Sequence, residues 1–252
     1  MAMCTARTDT ITIKTPTQAA QAAFFAMNAY TDDTLYEYSA LHGLECWLRR
    51  FIRAYQYTTA AAILTLLTIG YLAWRGNQTA ADYFRYLPYL HHADTTYRVL
   101  TVFTALTFII SAFMTLAWCF CANENLHVLS PDDSKIRYTP GRTLLWWFIP
   151  LLNLWMPYNI MAELWRGSLA LVRDPDEDNE NLLFRWWLTF LAIGGSGMIA
   201  GRTANSAAIT GVCFLLIMHG FALVSAQTLM TLTRRINRAQ TTAHQQQQKS
   251  VR

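Results

Sequence analysis

Charge is what this chain has least of. Only 14% of its 252 residues are Asp, Glu, Lys or Arg, against about 25% in soluble globular proteins. The deficit is gathered in blocks. Residues 57–74, 99–120 and 207–232 carry no charge over 18, 22 and 26 positions, and each reaches the roughly 18 apolar residues that cross hydrocarbon. Residues 184–201 form a weaker, glycine-rich fourth block that spans if Arg185 snorkels to the interface. These lengths exclude an ordinary soluble core and point to four transmembrane helices.

Chemistry-bearing motifs are also missing. There is no glycine-rich phosphate loop, no nucleophile elbow and no His-Glu-x-x-His. No acid lies within the four blocks to pass a proton to His219, the one histidine in the last of them. An ionisable group at membrane depth is a candidate functional residue, but a neutral histidine bonded between helices explains His219 better. Cys119 and Cys121 are two apart and so point to nearly opposite faces of a helix, which excludes a redox pair. His91, His92 and Asp94 lack a second ligand cluster. The acidic run 174–180 lacks the central glycine of a calcium loop. No catalytic residue, metal or cofactor is expected, and the basic excess does not call for nucleic acid.

That excess follows from topology. With four spans, sixteen of the twenty Lys and Arg fall on the side holding both termini, as the positive-inside rule requires of the cytoplasmic face. A fifth crossing at residues 144–160 would split them nine to eleven. No cleavable leader is expected. Residues 1–33 read as a disordered or loosely helical arm. Thr34 and Glu37 fit a capping box, followed by an amphipathic helix with Leu41, Leu44, Leu48, Ile52 and Tyr55 on one stripe. That helix either lies on the inner leaflet or packs on the protein's own face. Residues 75–98 read as an outer loop whose tyrosines sit at the boundary. Gly197 and Gly201 form a small-xxx-small pattern that lets helices approach. Residues 34–233 make the membrane domain, and 234–252, basic and then glutamine-rich, read as a disordered tail.

The segment 138–165 interrupts this regularity. It is apolar enough for a bilayer, yet it carries Pro150 and Pro157 with Asn153 between them. Each proline removes a backbone donor and clashes with the preceding turn, and broken backbone at depth persists only where protein or water satisfies it. Residues 144–160 are therefore expected to form a re-entrant or interfacial element. In one reading it merely braces the bundle. In the other, freed carbonyls and Asn153 line a small cavity between the spans.

Trp118, Asn125, the run Tyr138-Thr139-Pro140-Gly141, the core Trp147, Phe148, Pro150, Asn153, Leu154, Pro157 and Tyr158, and the closing Leu164-Trp165 resemble a bacterial family of small membrane proteins known as domain of unknown function 4328. The match is strongest over residues 115–170. Where the family is expected to carry a basic patch, this chain has Cys119-Phe120-Cys121-Ala122. The resemblance implies a multi-span bacterial inner-membrane protein and assigns no reaction. The expectation is thus an all-α, four-span helical bundle with both termini cytoplasmic. Its role is to organise or regulate a membrane partner; the competing roles are a homo-oligomeric transporter or channel and, less favoured, a membrane-embedded enzyme.

Overall fold

The computed structural model describes residues 37–130, 136–149, 151–173, 181–203 and 208–250. Thr34 of the capping box and Pro150 lie outside them. The described residues are helical, with no strand among them: α1 His42–Gly76, α2 Ala80–Leu129, α3 Pro140–Leu145, α4 Met156–Ala170, α5 Asn181–Thr203 and α6 Ala208–Ser250. A single 3-10 turn, Leu152–Leu154, precedes α4. Four helices, α1, α2, α5 and α6, are long and apolar enough to cross a membrane. The short pieces between α2 and α5 are not: the 15 residues of α4 reach only about 22 Å, against a hydrocarbon core of about 30 Å.

The amphipathic stretch and the first span are one helix. Leu48, Ile52, Tyr55, Thr59, Ala62 and Leu66 recur at steps of three and four along α1 and are buried on one face. The stripe packs on the protein itself. α1 and α2 form an antiparallel hairpin in which the Thr58 and Thr107 hydroxyls stand 3.4 Å apart. α6 runs antiparallel to α1, joined by Gln56–Gln227 at 3.3 Å and Asn237–Glu45 at 2.6 Å. α5 packs on α6, where a Cβ added at Gly197 would stand 3.2 Å from the Met218 sulfur. Gly201 has nothing within 4 Å, so only one half of the small-xxx-small pattern is used. Many of the buried positions in the spans are small and hydroxylated, among them Ser111, Thr115, Ser196 and Thr228. Each hydroxyl donates to a carbonyl one turn back in its own helix. Leu64, Leu67, Val102, Phe103, Leu106 and Phe113 face outward. Small inside and large apolar outside is the packing logic of helices in lipid.

Two expectations need correcting. Residues 75–98 are not a loop: after the turn at Asn77 and Gln78, Thr79 caps α2 by accepting from the Asp82 amide at 3.1 Å. The helix then continues through Pro88. Arg98 lies nine residues before Thr107 and so stands opposite about Leu67, counting antiparallel helices of equal rise. The Asp94–Arg98 pair, closed at 2.8 Å along one turn, therefore sits level with the first apolar block. There a charge is tolerated only when paired.

The second correction is the tail. Residues 234–250 continue α6, because Leu232, Ile236, Ala239 and Ala243 keep the helical step and are buried. They close a core at the end of the bundle where α1 begins and α2 ends, here called the basal end. Trp118, Leu126, Ile160, Leu164, Trp165 and Ile236 are almost wholly buried there. Against this core α4 lies so close to α2 that a Cβ at Gly167 would meet Leu126 Cδ2 at 2.9 Å.

Two outcomes follow. Gly167→Ala should lower the melting temperature, at a cost of about 1–3 kcal/mol for overpacking. Gly194→Ala, on an open helix face, should leave it unchanged or raise it by the equivalent of about 0.5–1 kcal/mol. Equal effects in detergent melting curves would contradict the close α2–α4 approach. Ending the chain after Thr233 should remove the basal core's α6 wall and abolish a monodisperse gel-filtration peak, whereas a disordered tail would be dispensable.

Candidate functional site

The broken segment builds the basal end from its own sequence. Pro140 starts α3, where a missing amide costs nothing, and Thr143 caps back to Thr139 O at 3.0 Å through its amide. α3 ends in the turns of 146–149, and the Asn153 amide bonds Ile149 O at 2.8 Å. Pro157 opens α4 in the same manner as Pro140 and is buried. The Trp187 indole donates to Leu154 O at 3.2 Å and pins the turn to α5. α4 stops at Ala170, and the chain leaves through Arg173 at φ +53°, a left-handed position more usual for glycine.

Several of the resembling residues lie in the core. Trp118, Asn125 and Trp165 are buried completely or nearly so, with the Arg235 guanidinium 5.8 Å from the Trp165 ring centre. Asn125 grips the backbone of Ser39 from both sides: its Oδ1 accepts from Ser39 N at 2.8 Å and its Nδ2 donates to Ser39 O at 2.9 Å. The same Nδ2 faces Gln240 Oε1 at 3.4 Å. Gln240 in turn donates to Ala122 O at 2.9 Å and Ser168 Oγ at 3.0 Å. One amide network thus joins the chain before α1 to α2, α4 and α6.

Tyr138 and Tyr158 instead line an open groove of about 960 Å³ at the basal end, with Arg137, Glu163, Arg173 and Gln247 around it. Glu163 holds its wall together: its two carboxylate oxygens accept from Arg137 N at 2.9 Å and Tyr138 N at 3.0 Å. Tyr138 O lies 3.2 Å from His127 Nε2. Burial pushes the Glu163 carboxyl above its usual range against the pull of those two amides, and burial with the Glu163 charge raises Tyr138.

The remaining residues do not join this groove. Gly141 is exposed with open space beside it. Trp147 lines a separate apolar cavity between the spans. Asn153 lines neither, and its Oδ1 is buried without a partner. Freed carbonyls with Asn153 around an inter-span cavity are therefore not what the described residues form. His219 is buried far along α6, where Nε2 stands 3.4 Å from the Tyr97 hydroxyl, the interhelical bond expected of a structural histidine. Sequence reasoning missed Gln240, Asn237 and Ser168, all buried and bonded. The signal was there in the helical spacing of Leu232, Ile236, Ala239 and Ala243.

A family model described as Domain of unknown function (DUF4328) matches residues 88–238, more than half of the chain. The match begins within α2 and ends within α6, leaving α1 outside it. No curated protein and no solved structure matches the chain.

The sign of the Glu163 shift sets its pH dependence. A raised carboxyl binds its proton more readily folded than unfolded, so its contribution is largest below the ordinary value of 4.5. That contribution is lost as pH rises through the raised value. Glu163→Gln should flatten this fall in melting temperature between about pH 4.5 and neutrality. It should also leave one of the two amides without the acceptor that the carboxylate supplies, a loss of about 1–3 kcal/mol set against the relief of the buried charge above the raised value. An unchanged pH profile would remove Glu163 from the account.

Proposed function

We propose that this chain, which belongs to the DUF4328 family, is a non-catalytic membrane protein that organises or regulates a membrane partner, which docks at the basal groove. The groove itself carries the reading. It is about 960 Å³, open, and mixed in character, with arginine on its rim and a helix wall supplied by α6. That suits a chain segment better than a small substrate buried on most sides. Glu163, the one acid among the described lining residues, is already bound to two backbone amides and is placed to support the wall rather than to act on a substrate.

The distribution of sixteen of twenty basic residues supports a bacterial inner membrane with both termini and the groove on the cytoplasmic side. Residues 144–160 then enter from that side as an interfacial or re-entrant element. The transporter reading draws no support from the space between the spans, which is small and apolar.

The test is purification in native lipid discs followed by mass spectrometry of the intact complex. A stoichiometric second protein is expected. It should be reduced at least tenfold, about 1.4 kcal/mol, by Arg137→Glu with Arg173→Glu at an unchanged melting temperature. A homo-oligomer alone, or a partner indifferent to the charge reversal, would overturn the reading.

A further inference from the structure

The charged pair of α2 stands at a depth where charge is costly, and it faces outward. Two separate contacts fix that depth. The count from Thr58 and Thr107 sets Arg98 level with about Leu67, inside the uncharged block 57–74. Its neighbour Tyr97 meets His219 of α6 at 3.4 Å, and His219 is the thirteenth of the 26 uncharged residues 207–232. Yet the Arg98 side chain is 77% exposed and that of Asp94 45%. Charges within a membrane almost always face the bundle interior or a water-filled cavity.

The pair is joined by one bond, from Arg98 Nε to Asp94 Oδ2 at 2.8 Å. The other guanidinium donors and Asp94 Oδ1 have no partner among the described residues, and hydrocarbon offers no water to serve them. The same stripe continues as small residues. Thr101 and Ala105 follow Arg98 by three and seven positions, on one helix face, and both are exposed. Beside them stand the large apolar Val102, Phe103 and Leu106. Small and polar residues in a row mark the contact faces of helices in lipid.

The charges say what covers this stripe. One acid and one base a turn apart make it complementary to itself. Two copies inserted in the same sense present it at the same depth, and a two-fold axis along the membrane normal sets each Arg98 against the other copy's Asp94. A helix carrying charge of one sign would leave one member of the pair unmatched. We propose that the face of α2 bearing Asp94, Arg98, Thr101 and Ala105 is the interface of a symmetric homodimer within the membrane, held by reciprocal Arg98–Asp94 bonds between the copies. Each guanidinium keeps its own Asp94 and uses its remaining donors on the second carboxylate, while Thr101 and Ala105 let the two backbones approach. This face is separate from the basal groove, so the dimer stands with or without a partner docked there.

The experiment measures energy transfer between donor-labelled and acceptor-labelled full chains in liposomes at high lipid dilution. Wild type should show transfer that unlabelled wild type competes away. Asp94→Arg alone and Arg98→Asp alone, each with two like charges on the stripe, should lose it. Mixing the two variants, one carrying the donor and the other the acceptor, should restore it, because each supplies the sign that the other lacks. A pair that serves only its own helix gives no such rescue. A wild type without transfer, or a mixture as silent as either variant alone, overturns the proposal.

Should either charge variant fail to insert, a second measurement decides. Ala105→Cys, oxidised in membranes with copper phenanthroline, should give a covalent dimer above the background of the wild-type cysteines. Phe103→Cys, two positions away and so on the other side of the helix, should not. An Ala105→Cys protein no more cross-linked than Phe103→Cys overturns the interface.

Discussion

The side-chain amide of Asn125 is the contact on which the basal end depends. It satisfies both the N–H and the C=O of Ser39, an exposed residue just ahead of α1, and in doing so bonds both ends of its own buried amide. Gln240 extends the same network to Ala122 and Ser168. In a bundle whose spanning parts carry no hydrophobic driving force between helices, such directional contacts do the registering. They fix where α2 and α6 lie along each other, and hence where α4 can seat against both. The groove and the approach of Gly167 to Leu126 are consequences of that register.

The broken segment takes its meaning from this frame. Two of its prolines begin helices rather than interrupt one: Pro140 and Pro157 each sit in a first turn, where the absent N–H is no loss. Short helices separated by turns can bend around the foot of α2 and α5 and deliver three aromatic residues to three different places. Trp165 goes into the core, Tyr138 to the groove and Trp147 to the inter-span cavity. One stretch of sequence thus serves packing and two separate surfaces.

Much of this was legible in the amino acids. Uninterrupted apolar length located the four spans, since only the bilayer rewards it, and the proline pattern marked 138–165 as irregular. Gln240 misled, because a polar side chain is read as solvated unless its partner is known. Gln240 is buried since Ala122 O and Ser168 Oγ, more than seventy residues away, receive its amide. The charged run around Asp94 and Arg98 read as a loop for the same reason: the ion pair that makes it tolerable within the helix appears only when the turn is formed. Asn153 lies outside both the groove and the inter-span cavity, and its buried Oδ1 has no partner among the described residues.

The order of the helices along the chain is not their order in space. α1 with α2 and α5 with α6 are the two closest pairs, and the main joint between the pairs is the contact of the first long helix with the last, α1 with α6. The two halves therefore become one bundle only when the end of the chain has been placed beside its beginning.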